Sequence, residues 1–172
     1  MQPVVFYDMK KLVLLVMMLL SLGAAARAGD QNLQLRDLVS SYKGTDGFEV
    51  VDVGGIGLGL LKAAARSAVE TEEDRQALKL FDGLKRLTIV DFSEAAPAIR
   101  EKFLRKANRI LESGDLLMEA KDGGQTVRIF GTSSKGGDLL QDIVIMADDA
   151  LISVRGSIRT DQIEALMKQA DR

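Results

Sequence analysis

The spacing of hydrophobic residues changes several times along the chain, and each change marks a predicted element. Hydrophobic residues that recur every three or four positions are typical of one helix face, whereas short runs rich in valine, leucine and isoleucine are typical of strands. The first half of the chain is therefore expected to contain helices at 33–42, 56–69, 76–82 and 95–111, and strands at 48–53 and 84–92.

Glycines and polar residues indicate where these helices begin and end. Gly44 is expected to end the first helix, because glycine readily takes the left-handed conformation that closes many helices. The acidic run Glu70–Asp74 is interpreted as a solvated connection. Ser93 is expected to cap the long fourth helix, with Pro97 tolerated in its first turn.

The second half of the chain changes to strand spacing. Two pairs of β-prone runs surround Asp122-Gly123-Gly124 and Asp148-Asp149, and both sequences favour tight turns. Two neighbouring hairpins are therefore expected, followed by a helix from Asp161 to Ala170 that Thr160 opens. The four predicted strands are 116–121, 126–132, 139–147 and 151–158.

This order of elements predicts an α+β fold. Neighbouring hairpins imply a mainly antiparallel sheet of about six strands that ends in a four-strand meander, with helices packed on one face. Alternation along the second meander strand places Val127 and Ile129 on one face of the sheet and Arg128 and Phe130 on the other. Residues 29–172 are expected to form a single domain.

Residues 1–28 have the pattern of a secretory signal peptide. Lys10 and Lys11 form a basic region, Leu12–Ala26 is apolar, and Ala26-Arg27-Ala28 is a small-x-small cleavage site. A membrane anchor is the alternative, but the apolar run falls short of the roughly 20 residues that span a bilayer. The residues before Met9 do not fit a basic region, which makes Met9 an alternative start. The expected location is periplasmic or secreted, with cleavage after Ala28.

Composition removes several function classes. The 172 residues include no cysteine, histidine or tryptophan, which excludes disulfides, thiolate or imidazole metal ligands, and histidine bases. Removing residues 1–28 takes away three basic residues and one acidic residue, and changes the net charge from −2 to −4. A weakly acidic domain is not an electrostatic nucleic-acid binder. We expect no catalytic residue, no metal and no cofactor that the sequence can name.

The stretch VDVGGIGLGLLKAAAR, Val51–Arg66, resembles a dinucleotide-binding turn, in which a strand feeds glycines and the glycines feed a helix. The required G-x-G-x-x-G does not close, because Leu60 or Lys62 stands where the third glycine belongs. We therefore interpret the glycines as packing positions: Gly54 and Gly55 end the strand and allow a tight entry to the helix, and Gly57 and Gly59 let a neighbouring strand or helix approach closely. A ligand or a partner protein at this backbone is the alternative.

Other charged groups are interpreted as solvated. The pair Asp148-Asp149 and the run Glu72–Asp74 can in principle do acid–base work or hold calcium, but turns and exposed loops favour the same residues. Serine–lysine pairs at 40–43 and 133–135 lack a productive spacing. On the fourth helix Lys102, Arg105, Lys106 and Arg109 form a basic stripe, for which at most weak contact with an anionic membrane surface is expected.

Four segments resemble domain-of-unknown-function family 4252, whose members are small exported proteins, mainly from Bacteroidetes. They are FEVVDV at 48–53, LFDGLKRLTIVDF at 80–92, LLMEAKDGGQTVRIFG at 116–131 and ISVRGSIRTDQIEAL at 152–166. These segments are hydrophobic patterns with placed glycines and contain no chemical signature. The resemblance implies a secreted or periplasmic, envelope-related role, and it brings no catalytic residue to this chain.

The sequence favours a non-enzymatic exported domain that binds another component of the cell envelope, either protein or lipid. The alternative is a hydrolase that uses carboxylates, for example on a glycan. Such an enzyme needs two carboxyl groups roughly 5–10 Å apart in a cleft.

The basic, apolar and small-residue pattern of residues 10–28 leads to a first prediction. In the native host, the mature protein should begin at Gly29. Intact-mass measurement of the purified protein tests the cleavage site, and an uncleaved chain retained in the membrane fraction would contradict it.

Overall fold

The computed structural model describes residues 29–122 and 124–162. Four helices and six strands of this part follow the predicted order. The helices are α1 (Gly29–Tyr42), α2 (Gly55–Ser67), α3 (Glu72–Asp82) and α4 (Pro97–Leu111), and the strands are β1 (Glu49–Gly54), β2 (Leu84–Asp91), β3 (Asp115–Asp122), β4 (Gln125–Ser133), β5 (Leu139–Met146) and β6 (Ala150–Arg159).

The six strands form one antiparallel sheet in the order β1-β2-β6-β5-β4-β3. The last four strands pair with their neighbours along the chain, so the predicted meander is confirmed, and with it the α+β fold class. The last strand, β6, lies between β5 and β2 and joins the meander to the first half of the chain. Helix α4 makes the long connection from β2 to the far edge at β3.

A cluster of four aromatic rings holds α1 and α4 against one face of the sheet. The ring of Phe103, on α4, lies 4.9 Å from Phe92, 5.1 Å from Tyr42 and 5.3 Å from Phe48 between centroids. Phe92 and Phe103 are fully buried. Because α1 carries Tyr42 and α4 carries Phe103, the cluster fixes both helices on the sheet at once.

Alternation along β4 separates the two apolar clusters of the protein, as predicted. Phe130 belongs to the cluster beneath α1 and α4, and Arg128 on the same face donates to the Asn108 side chain of α4. Ile129 and Val127 belong to a second cluster with residues of β5 and β6. The period of two therefore gives the correct face for each of these side chains.

A row of register irregularities crosses the sheet. The pairing register between adjacent strands shifts beside Lys85, Asp142, Gly131 and Leu117. Such bulges bend and twist the strands. Asp142 has a φ of 51°, and its carboxylate accepts a hydrogen bond from the Gly156 N–H. At this row the backbones of β2 and β6 come unusually close.

The acidic run Glu70–Asp74 is a connection only at Glu70 and Thr71, so the predicted bounds were wrong, although its described side chains are exposed as expected. Helix α3 begins at Glu72, because Thr71 and Asp74 form a reciprocal cap. The Asp74 N–H donates to the Thr71 hydroxyl, and the Thr71 N–H donates to the Asp74 carboxylate, both at 3.1 Å. Hydrogen bonds from the Thr71 side chain and then from the Thr71 and Glu70 backbone lower the pKa of Asp74 below its ordinary value.

Ser93 does not cap the fourth helix, which is a second correction. Helix α4 begins at Pro97, and Ala96 occupies the capping position without a side-chain hydrogen bond. Ser93 instead donates through its N–H and its hydroxyl to the carboxylate of Asp91. That carboxylate closes a local turn at the end of β2, and the helix starts only where proline fixes φ.

Three sequence predictions fall outside the described residues. They concern the signal peptide at 1–28, Gly123 in the first hairpin turn, and the final helix from Ile163 onward. The other predicted turn glycine, Gly124, has a φ of +85°, which agrees with a turn that needs positive φ.

Two glycines with opposite surroundings provide a test of the fold. A Cβ on Gly83 would overlap the carbonyl oxygen of Ser157 in β6, whereas a Cβ on Gly59 would meet nothing within 4 Å. Gly83→Ala should therefore lower the free energy of unfolding by about 3 kcal/mol. Gly59→Ala should raise it by about 1 kcal/mol, because alanine is the better helix former.

Urea denaturation of both variants measures this difference. Equal unfolding midpoints for the two variants would contradict the close approach of β2 and β6.

Candidate binding surfaces

Helix α2 exposes most of its apolar surface. Leu58 is its one buried residue, at 5% exposure, whereas Ile56 is 85% exposed, Leu60 67% and Leu61 51%. Ile56 and Leu60 are four residues apart and share one side of the helix. A helix of 13 residues with three glycines has little stability of its own, so α2 depends on its contacts with the rest of the domain.

Those contacts form a narrow stripe along one side of α2. Leu58, Lys62 and Arg66 recur every four residues. The Lys62 ammonium donates to the carbonyl oxygens of Asp82 and Leu84, at 3.2 and 3.0 Å, and Arg66 binds the Asp82 carboxylate at 2.8 Å. Both cations of the helix therefore anchor it to the end of α3 and the start of β2.

The predicted close approach of another element is wrong at Gly59, whereas the positive φ of Gly55 agrees with the tight entry predicted there. A Cβ at Gly55 or Gly59 would meet nothing within 4 Å, and a Cβ at Gly57 would make an ordinary contact with Val53. Gly55 has a φ of +53°, which explains that glycine by conformation alone. The backbone of α2 is therefore open to solvent on the side that carries Ile56 and Leu60.

The strand before this helix does not have the arrangement of a dinucleotide-binding unit. In such a unit the strand, the glycine turn and the helix lead into a parallel strand. Here β1 is an edge strand that pairs with β2 in antiparallel register. The topology thus gives a second argument, besides the unclosed glycine pattern, against a nucleotide at Val51–Arg66.

Strand β1 presents an unpaired edge next to α2. One of its sides pairs with β2, and no strand of the described residues pairs with the other. It is six residues long, without proline or lysine, and Val51 is 52% exposed. Unpaired edges of this kind can accept an additional strand. The edge of β1 and the exposed side of α2, defined by Val51, Ile56, Leu60 and Leu61, are named the apolar surface.

A polar groove lies where the sheet extends beyond the helix layer. Its volume is about 260 Å³, with α1 on one side and the strands β1, β2 and β6 as its floor. Alternation places Thr88 and Arg86 of β2, and Ser153 and Arg155 of β6, on the face that carries α1. The wall is formed by α1, with Arg36, Asp37 and Ser40, and by Lys43, which follows directly after that helix.

One ion pair orders the floor of this groove. Arg86 donates to one oxygen of Asp52 at 2.6 Å, and the Thr88 hydroxyl donates to the other oxygen at 3.0 Å. The Arg86 guanidinium lies against Gly54, where a Cβ would come within 3.3 Å of it. Arg155 stands directly opposite Arg86 on β6, and its side chain makes no hydrogen bond or ion pair with residues 29–122 or 124–162.

The acidic residues that the sequence singles out have structural partners. Asp148 accepts from the Thr126 N–H at 3.0 Å, and the Asp149 carbonyl accepts from the Phe92 N–H at 2.9 Å, so the pair belongs to a turn that contacts neighbouring elements. Ser133 is buried and donates to the Ser134 carbonyl. In the part of the chain that the structure describes, no three acidic side chains gather closely enough to hold a metal.

The basic stripe on α4 faces away from the sheet. Lys102, Arg105, Lys106 and Arg109 are exposed, whereas Phe103 and Ala107 on the opposite side are fully buried. Arg105 pairs with Glu101 at 3.5 Å, and Lys106 lies 5.7 Å from the centre of the Tyr42 ring. The apolar side of this helix is therefore committed to the core.

No motif in the sequence marks Arg86 or Arg155 as a site residue. Each is an arginine in a strand that contains several apolar residues. Alternation of side chains along the strand places it on the face of the sheet that carries α1. Charged side chains are rarely buried, so an arginine on this face was the sequence signal that the helices leave this part of the sheet uncovered.

Comparison with known proteins identifies the family. Residues 42–166 match the family described as Domain of unknown function (DUF4252), so the chain belongs to it, and the resemblance drawn from the sequence is confirmed. No curated protein and no solved structure matches the chain. Within the described residues, none of the helices has the length and hydrophobicity needed to cross a bilayer.

The exposed basic stripe of α4 leads to a prediction about membranes. Four basic residues contribute about 1 kcal/mol each near an anionic surface, and the buried Phe103 and Ala107 cannot insert. The protein should therefore not associate stably with anionic liposomes at roughly 0.15 M salt. Co-sedimentation measures this, with a variant in which all four residues are serine as the control. Clear pelleting of the wild type that the control loses would contradict the prediction.

Proposed function

We propose that this member of the family is an exported, non-enzymatic binding domain that docks a protein of the cell envelope through the apolar surface. The observation that carries the proposal is the exposure of α2, in which Ile56 and Leu60 are 85% and 67% exposed while only Leu58 is buried. Contiguous exposed apolar residues of this kind are typical of surfaces that bind another molecule.

The charges around α2 favour a protein over a membrane. Helices that lie in a membrane interface carry free lysines and arginines beside their apolar face. The two cations of α2, Lys62 and Arg66, are instead engaged with Asp82 and Leu84. No described cation of the helix is therefore left to hold it on an anionic lipid surface.

The edge of β1 favours a partner that contributes an extended segment. Added strands gain main-chain hydrogen bonds from an unpaired edge and specificity from side-chain contacts. The exposed Val51 lies on β1. Ile56 lies in the first turn of α2 and Leu60 in the second. A segment along β1 would thus reach apolar side chains on α2.

The export part of the proposal depends on the pattern of residues 10–28.

The hydrolase alternative stays a sequence prediction without a supporting observation. A general acid at neutral pH needs a raised pKa. Where the described carboxyl groups depart clearly from their ordinary values, at Asp74, Glu119 and Asp161, the pKa is lowered by hydrogen bonds from Thr71, Arg128 and Arg159 respectively. Asp52 is held by Arg86 and Thr88.

Site-specific photo-cross-linking in the native host tests the docking surface. A photoreactive amino acid at position 60 should give one discrete cross-linked product, because Leu60 lies on the apolar surface. The same group at position 116 is the matched control, since Leu116 is 51% exposed on β3, at the opposite edge of the sheet. Adding Ile56→Glu should abolish the product at position 60.

Thermal unfolding of Ile56→Glu separates lost binding from lost folding. The side chain is almost fully exposed, so the midpoint of unfolding should stay within the range of neutral surface changes. Equal cross-linking from positions 60 and 116, or a product at position 60 that survives Ile56→Glu, would overturn the proposal. A product of twice the chain mass would identify a second copy as the partner, and would also overturn it.

A further inference from the structure

We propose that the polar groove binds a small phosphate-type oxyanion between Arg86 and Arg155. This site lies on the face of the sheet that carries α1 and is separate from the apolar surface. The argument starts from the pairing of β2 with β6, which sets these two arginines directly opposite each other.

Two like charges at directly opposed positions of a sheet destabilise it. The protein neutralises only one of them, because Asp52 binds Arg86 and its second oxygen is taken by Thr88. Arg155 is half-buried in the same groove and has no hydrogen-bond or ion-pair partner in residues 29–122 and 124–162. An anion beside Arg155 would remove the repulsion that the pairing creates.

The walls of the groove add positive charge. Arg36 on α1 and Lys43 directly after it line the groove, so that four cations face two carboxylates, Asp37 and Asp52. The groove therefore has a net charge of +2, although the whole chain has a net charge of −2. A concentration of charge opposite to that of the molecule attracts a ligand of the other sign.

The floor also supplies neutral hydrogen-bonding groups. The hydroxyl of Ser153 lies next to the two arginines, opposite Thr88, whose own proton is donated to Asp52, and Ser40 lines the wall. A second hollow of about 340 Å³ continues past Arg86 and Arg155 toward Asp142 and Gly156. The two arginines thus stand between two hollows and are reachable from both.

Charge selects the ligand class. The groove of about 260 Å³, on the order of nine water volumes at about 30 Å³ each, has room for a phosphate with a short organic group. A phosphate monoester carries nearly two negative charges at neutral pH, matching the charge of the groove. Guanidinium groups bind phosphate oxygens through paired, charge-assisted hydrogen bonds.

Isothermal titration with inorganic phosphate and with glycerol 3-phosphate, at constant ionic strength, tests the site. Both should bind the purified protein. Arg155→Gln should weaken the affinity about tenfold or more, since it removes a charge-assisted contact. Arg109→Gln, an exposed change on α4 that also removes one positive charge, is the matched control and should bind like the wild type.

A folding control and a lipid arm complete the experiment. Arg155→Gln should not lower the midpoint of thermal unfolding without phosphate, because it relieves a repulsion. Vesicles of phosphatidylcholine with and without phosphatidic acid separate a free phosphate ester from a lipid headgroup as the source. Binding to phosphatidic acid that Arg155→Gln abolishes would support the site with a lipid ligand. No binding of either phosphate, or equal affinities of the two variants, would overturn the proposal.

Discussion

The packing of Phe103 against Phe92, Phe48 and Tyr42 is the interaction on which the arrangement of this protein depends. Its ring lies within about 5 Å of each of the other three, between centroids, and joins α1, α4 and the sheet at one point. Such aromatic contacts bury a large area and also fix relative orientation. Because the cluster fixes both helices over one part of the sheet, the strands β1, β2 and β6 extend beyond the helix layer. The polar groove occupies the part of this face that no helix of residues 29–122 and 124–162 covers, and its arginines are therefore accessible there.

The parts of the fold that follow from local spacing could be predicted from the sequence. Alternation in β4 separates Ile129 from Phe130, and the turn residues of the meander set the order of its strands. Local reasoning failed where two local rules compete. Acidic residues favour solvated loops, but the same residues in Thr71–Asp74 form a helix cap. The hydrogen bonds between Thr71 and Asp74 decide that a helix begins at this point.

The candidate surfaces could not be predicted, because both depend on contacts between distant parts of the chain. Arg86 and Arg155 are brought together by the register of β2 with β6, which no local pattern encodes. The sequence predicts a helix at 56–69, which agrees with α2, yet the pattern does not say which side of the helix is covered. The hydrogen bond from Lys62 to the end of α3 holds the side of α2 that carries Leu58 against the rest of the domain. Leu60, on another side of the helix, is therefore exposed to solvent.

The two surfaces meet at β1, and the pleat of that strand keeps them apart. Asp52 points into the groove, whereas Val51 and Val53, on either side of it along the chain, point to the opposite face. The groove is connected to α2 through Gly54, over which the Arg86 guanidinium lies, one residue before the helix begins. A ligand at Arg86 therefore contacts the strand that carries the apolar surface without occupying that surface. Coupling between two sites requires two arrangements of a shared element that each ligand stabilises differently. The Asp52–Arg86 ion pair joins β1 to β2 at this junction, and it is the shared element that any coupling between the two proposed sites would involve.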